Sequence, residues 1–376
     1  MADGPSPAAA PSTRTAAPRR NWRRLRFIPL AIGALAMALG LWTGLARIGV
    51  PLPGGTPAIA EFHGALMISG FLGTLISLER AVALGSPWPY AAPALSSLGV
   101  LALLAGAPLG GALAFGLAGL VLLLASASIG LRQPALFTVV LAVGAACWGA
   151  GTIQWLLASP MPVVTGWWLN FLVLTIAAER LELSRLVRPP LISQVAFAAA
   201  ALLLLLGGAR GELGRPSALL TAAGLIGCAA WLLHHDIARR TIRQAGQPRF
   251  SAVCILLGHG WLGVAGVALA ASPPGSAAFS YDAAVHAIAI GFVLSMVLGH
   301  APIILPAVTG VRLRLSAWAY APLALLHASV VLRMAADVLG WVDTRAASAI
   351  VTILALVSYA AVLAAASWKG PIGRTT

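Results

Sequence analysis

From residue 27 to residue 367 the chain is a near-unbroken succession of apolar stretches, each about 20 residues long. That is the length an α-helix needs to cross the hydrocarbon core of a bilayer. Twelve such stretches stand out: 27–49, 59–79, 89–107, 109–131, 134–158, 162–182, 190–208, 216–235, 251–271, 282–305, 317–339 and 346–367. Charge supports this reading. Only 9% of the residues are charged, against roughly 25% in a soluble domain. Ten acidic and 24 basic residues cannot cover the surfaces of the two or three soluble domains a chain this long would form. A soluble enzyme, a secreted disulfide scaffold and a disordered chain are thereby excluded. The expected fold is all-α: a polytopic membrane protein of about twelve transmembrane helices.

The segments outside the spans set the organisation. Residues 1–26 read as a disordered basic tail, rich in Ala, Pro, Ser and Thr and ending in an arginine run. The apolar stretch after them is too long for a signal-peptide core, so it reads as a first span with a cationic anchor. Residues 27–368 form the twelve-helix domain and 369–376 a second short tail. With the N-terminus in the cytoplasm, the even-numbered helices end inside. Their loops carry Arg80, Arg132, Arg180, Arg185, Arg188, Arg239, Arg240, Arg243, Arg249, Arg312 and Arg314, then Lys369 and Arg374. The opposite loops hold mainly Arg210, Arg215 and Arg345. This is the positive-inside bias at every cytoplasmic loop, and it predicts both termini inside a bacterial inner membrane. The net charge of +14 is therefore read as topology, and no nucleic-acid partner is expected. Cys147, Cys228 and Cys254 lie within apolar stretches and form no CxxC, so they read as small apolar residues.

An internal repeat is also visible. The second span ends Ile76-Ser77-Leu78-Glu79-Arg80 and the sixth Ile176-Ala177-Ala178-Glu179-Arg180. The second opens on His63 and reaches Gly70-Phe71, while the tenth opens on His286 and reaches Gly291-Phe292. Spans two, six and ten are four apart, which suggests three four-helix units.

Ionisable side chains inside a bilayer are costly and mark functional sites. His234 and His235 fall at the end of the eighth span beside Asp236 and read as an interfacial polar cluster. His63, His259, His286, His300 and His327 fall within apolar stretches. One such histidine is most simply interhelical polar glue; five invite a metal or haem reading, because imidazole nitrogen ligates iron, copper and zinc. His63 and His286 each lie about four residues, or about 6 Å, into helices running the same way. They should meet at one depth near the outer surface and hold a haem between them, with Gly64, Gly70, Gly73 and Gly291 letting a flat macrocycle approach the backbone. His300 follows His286 by about 21 Å along the axis, about 40° short of full rotation. With His259, and with or without His327, it could form a second site that holds copper, a second haem or nothing. Arg47 and Arg333 are candidates to meet haem propionates. For Arg333 the simpler reading is an i, i+4 ion pair with Asp337. No c-type attachment motif is present, so a haem would be noncovalent.

The stretch Phe62-His63-Gly64-Ala65-Leu66-Met67-Ile68-Ser69-Gly70-Phe71-Leu72-Gly73-Thr74, the helix bearing His286 and His300, and the twelve-span layout resemble the NnrS-type membrane haem proteins. More distantly they are similar to subunit I of haem-copper oxidases. The resemblance implies three four-helix arcs and a low-spin haem held by the second and tenth helices, at the places of His63 and His286. The oxidase copper ligands do not carry over: the sixth and seventh spans contain no histidine, so an oxygen-reducing binuclear centre is not expected. The NnrS resemblance implies haem, copper and a role in nitric oxide stress.

Three functional readings follow. The first is a membrane haem protein acting in electron transfer or nitric oxide response, partnered by the lipid bilayer and by a redox protein or small gas ligand. The second is a twelve-helix secondary transporter without cofactor, with Pro302 and Pro306 breaking the tenth helix and Asn170 near the midplane. The third is a scaffold whose histidines are glue.

Overall fold

The computed structural model describes residues 26–53, 58–210 and 214–368. The expected tails, apart from Arg26, lie outside the described residues. What is described is helical almost throughout: α1 (Phe27–Arg47), α2 (π-helix Ala65–Gly73 running into α-helix Thr74–Leu84), α3 (Ala91–Leu104), α4 (Pro108–Arg132), α5 (Leu136–Leu156), α6 (Met161–Ser184), α7 (Leu191–Ala209), α8 (Arg215–His235), α9 (Gln247–Ala271), α10 (Ser280–His286, π-helix Ala287–Leu294 and Ser295–Thr309), α11 (Tyr320–Leu339) and α12 (Val342–Ala366). Among the described residues eleven helices are long and apolar enough to cross a membrane. The protein is an all-α, multi-pass membrane protein.

The third span is shorter than expected. With its leading 3-10 turn it runs only from Trp88 to Leu104, 17 residues, or about 26 Å at 1.5 Å per residue. That falls short of a hydrocarbon core of about 30 Å. The chain turns at Gly106, whose positive φ of 74° a side chain would oppose, and Pro108 starts the next helix. The tenth helix also departs from expectation. It runs through Pro302 and Pro306 to Thr309, so the prolines do not break it. The described chain includes one small ribbon, Arg312–Leu313 paired antiparallel with Ser367–Trp368, which ties the end of α10 to that of α12.

Each helix packs on the next, α12 returns to α1, and α2, α6 and α10 touch one another at the middle. The repeated segments of the sequence are thus the central helices. Burial follows this plan: 72% of the spanning window of α6 is buried, against 22% for α1 and 17% for α12. Lipid is as apolar as leucine, so burial of apolar surface does not hold such helices together; close packing and hydrogen bonds do. Trp148 Nε1 donates to Ser69 Oγ at 2.9 Å, Asn170 Nδ2 to the Leu204 carbonyl at 3.0 Å, and Ser295 Oγ to the Cys254 carbonyl at 2.7 Å. Gly119 lets α4 approach α5 so closely that a Cβ there would meet Gly149 N at 3.3 Å.

The two π segments begin just after histidines, at Ala65 two residues beyond His63 and at Ala287 directly after His286. Long π stretches are rare and concentrate at functional sites. In α2 the hydrogen bonding offers a cause. The Ser69 carbonyl accepts Ser96 Oγ at 2.8 Å and the Gly70 carbonyl accepts Thr74 Oγ1 at 2.6 Å. Both oxygens are engaged by hydroxyls that compete with the α-helical register.

Candidate functional site

His63 and His286, 223 residues apart in sequence, line one cavity of about 210 Å³. That is far above the roughly 10–15 Å³ a single water needs. Arg47 and Arg333 line it too, so the four expected cofactor-binding residues share one wall system. The remaining lining is largely apolar, from Leu41 of α1, Ile68 and Leu72 of α2, Trp155 of α5, Leu169 of α6 and Ile290 of α10.

The imidazoles are held alike. His63 Nδ1 lies 2.7 Å from the Gly40 carbonyl, and His286 Nδ1 lies 2.9 Å from the Asp282 carbonyl. A carbonyl oxygen only accepts, so Nδ1 carries a hydrogen in both rings, an arrangement that in a neutral imidazole leaves the lone pair on Nε2. Neither Nε2 has a hydrogen-bond partner among the described residues. Metal-ligating histidines are prepared this way, with the second nitrogen tied to a carbonyl or carboxylate. Asp282 adds a carboxylate oxygen 3.3 Å from His286 Nδ1. His63 is seated by the absence of a side chain on α1: a Cβ on Gly44 would stand 2.9 Å from His63 Cε1 and 3.0 Å from Nδ1.

The glycines expected to cradle a macrocycle mostly do something else. A Cβ on Gly70 would meet Val100 at 2.8 Å, one on Gly73 the Trp148 ring at 2.6 Å, and one on Gly291 the Trp261 ring at 2.5 Å. These three make room for neighbouring helices. Only Gly64 borders the cavity, with open space where its side chain would be.

The charges at the cavity include a network that the sequence reading missed. Arg333 reaches Asp337 at 3.4 Å as an i, i+4 pair, but it binds Asp282 of α10 more closely, through Nε at 2.9 Å and also through Nη2. Arg345 of α12 joins them, 2.6 Å from Asp337 and 2.8 Å from Asp282. Asp282 and Arg345 were legible only in part: Asp282 stands four residues before His286, whereas Arg345 lies in the first turn of α12 and reaches the site through tertiary folding. Among the described residues no carboxylate lies within ion-pair distance of Arg47. Arg47 is therefore the better-placed cation for an incoming anionic group, because Arg333 is already engaged by two carboxylates.

The other three histidines do not form the expected second metal site. His327 accepts Trp261 Nε1–H on its Nδ1 at 2.8 Å, so its proton sits on Nε2, 3.5 Å from Ser295 Oγ. Both nitrogens are engaged away from His259 and His300. Those two instead flank an ion pair at the other end of the bundle. Arg180 binds Asp236 through Nε and Nη2, both at 2.7 Å. His259 Nε2 lies 3.7 Å from Asp236 Oδ2, and His300 Nε2 faces Arg180 Nη1 at 3.4 Å. A guanidinium beside the imidazoles opposes a divalent cation there. Among the described residues no group of three or more His, Cys, Asp or Glu is arranged to hold a metal ion. The simple phase argument for His286 and His300 also fails, because eight π-helical residues between them turn by less than the α-helical 100° each. At Asp236, just beyond α8, burial pushes the carboxyl up, but the two Arg180 hydrogen bonds outweigh it and hold the group below the usual carboxylate range.

The expected residues thus divide into an outer cavity (His63, His286, Arg47, Arg333), an opposite-end cluster (His259, His300) and a separate hydrogen bond (His327). Among curated proteins none matches the chain. A family model described as "Domain of unknown function (DUF8744)" matches residues 24–368, nearly the whole chain, and the protein belongs to that family.

Proposed function

We propose that this protein is a haem-binding protein of a bacterial inner membrane, with both termini cytoplasmic, that carries electrons to or from a redox partner. One observation supports the reading above the others: two histidines from distant parts of the chain line a single cavity, each with Nδ1–H tied to a carbonyl and Nε2 without a hydrogen-bond partner among the described residues. The residues suit a haem. His63 and His286 would offer their Nε2 atoms to the iron, the apolar side chains would surround the macrocycle, and Arg47 would meet a propionate. A haem there would supply a one-electron iron couple. Gly40 and Asp282 fix the imidazole tautomers. The apolar walls exclude water, and Asp282 beside His286 favours the oxidised, more positive centre. Two histidines at one iron would leave it no open position, which suits electron transfer better than capture of nitric oxide. The arginine-rich loops after α2, α4, α6, α8 and α10 support the cytoplasmic placement of that end.

The test is the absorption spectrum of full-length protein purified in mild detergent from haem-replete cells. A Soret band with α and β bands that sharpen on reduction is expected, lost in both His63→Ala and His286→Ala and kept in His327→Ala. Colourless, monodisperse wild-type protein that takes up no added haemin would falsify the assignment.

A further inference from the structure

The opposite end of the bundle holds a second constellation that the haem reading does not use. Glu79 and Arg80 lie in the last turns of α2, Glu179 and Arg180 in those of α6, Asp236 follows α8, and His259 and His300 come from α9 and α10. Arg80 binds Glu179 at 3.2 Å, and Arg180 binds Asp236 and faces His300. Glu79 is within electrostatic reach of Glu179, Arg80 and His300, and Glu179 within reach of Arg80, Arg180 and the exposed Glu182.

Two features of this cluster call for something more. The first is charge. Apart from the solvent-facing Glu182, three carboxylates meet two guanidiniums, leaving one negative charge uncompensated if all are ionised, in surroundings where burial makes that costly. The second is hydrogen bonding. His259 is fully buried, and neither ring nitrogen has a hydrogen-bond partner among the described residues; Arg80 Nε is buried and, among the same residues, unpartnered as well. A neutral imidazole always presents one donor and one acceptor. Whatever sits against His259 must therefore both accept and donate, as water does. Exposure grades inward along the same groups: the side chains of Glu179 and Arg80 are 28% and 14% exposed, those of Asp236 and His259 0%. Beyond His259 stands the Phe292 ring, 6.3 Å away.

We infer that this cluster is a proton-binding site fed by water from the arginine-rich face. Waters fill the places beside His259 and Arg80 Nε, and one exchangeable proton taken from solvent is shared among Glu79, Glu179 and His259. It adds to a carboxylate oxygen or a ring nitrogen and balances the charge, with no electron moved. Asp236 is not the holder, because Arg180 keeps it ionised.

The experiment is pH-difference infrared spectroscopy of the full-length protein in nanodiscs, in H2O and D2O. Wild type should show a protonated-carboxyl or imidazolium signal that titrates with pH and shifts within minutes of transfer to D2O. Glu79→Gln balances the charges and should abolish uptake of that proton. His259→Phe should move the midpoint by about one pH unit, tenfold in proton affinity. If wild type shows neither signal, or shows it with exchange taking hours, the inference is overturned without recourse to any variant. A titration identical in wild type, Glu79→Gln, Glu179→Gln and His259→Phe overturns it equally.

Discussion

Replacing Asp236 by asparagine isolates the energetic consequence of the buried pair. The carboxylate accepts Arg180 Nε and Nη2 at 2.7 Å each and the Ala238 N–H at 2.8 Å. The Asp236 and Arg180 side chains are 0% and 5% exposed, so solvent screening is small. Asparagine keeps one acceptor oxygen but turns an NH2 toward a guanidinium that also only donates. Two charge-assisted hydrogen bonds at about 1.5–3 kcal/mol each amount to about 3–6 kcal/mol. The measured cost of stranding one partner of a buried pair, about 3–5 kcal/mol, falls in the same range. The assay is reversible unfolding in mixed micelles titrated with SDS. Asp236→Asn should lose about 3–5 kcal/mol, while the double variant Arg180→Leu/Asp236→Leu should recover most of that loss, because no charge is then left buried alone. Since the folded carboxyl sits below its ordinary pKa, its stabilisation is fully present above about pH 3.9 and fades only as pH falls through the lower folded value. The deficit of the single variant should therefore be constant across neutral pH. A single variant within about 0.5 kcal/mol of wild type, or a double variant as unstable as the two singles summed, would refute the reasoning.

Further outcomes follow from the cavity and the packing. Gly44→Ala places a methyl 2.9 Å from His63 Cε1, well inside the 3.5–4.0 Å at which carbon atoms pack, so the ring must move off the Gly40 carbonyl; haemin titration followed by absorbance should show affinity reduced about tenfold, the equivalent of one net hydrogen bond. Gly64→Ala, which meets open space, should unfold like wild type in the SDS assay, whereas Gly73→Ala, pressed against the Trp148 ring, should lose about 1–3 kcal/mol as overpacking. Single cysteines introduced at Gln133 and Arg188 should be labelled from the cytoplasmic side of sealed vesicles, and one at Gly275 from the other; the reverse pattern would invert the topology. In an experimental structure with haem bound, the His63 and His286 Nε2 atoms should stand about 4 Å apart, given iron–nitrogen bonds of about 2.0 Å.

The apolar periodicity by itself determined that this is a helical, multi-pass membrane protein, because in lipid every backbone polar group must be satisfied within its own helix. Span positions were legible for the same reason. The Glu79-Arg80 and Glu179-Arg180 echoes, with the two His–Gly-Phe openings, marked α2, α6 and α10 before their contact at the centre was known. The third helix is shorter than its apolar run suggests, because the chain turns at Gly106 and restarts at Pro108 with no change in hydropathy to mark it. Which polar groups serve each other was decided only by tertiary structure. Arg180 and Asp236 lie 56 residues apart and Arg345 and Asp282 lie 63 apart, and no local spacing reports such pairings. The roles of the glycines were equally hidden: a small residue in an α-helix looks the same in sequence whether a tryptophan ring or an open cavity lies beyond it. His327 differs from His63 only by its neighbour, a tryptophan N–H that occupies the lone pair where His63 meets a carbonyl that fixes the proton. Hydropathy is a property of each residue summed along the chain, whereas the free lone pair of an imidazole depends on what another helix brings against it.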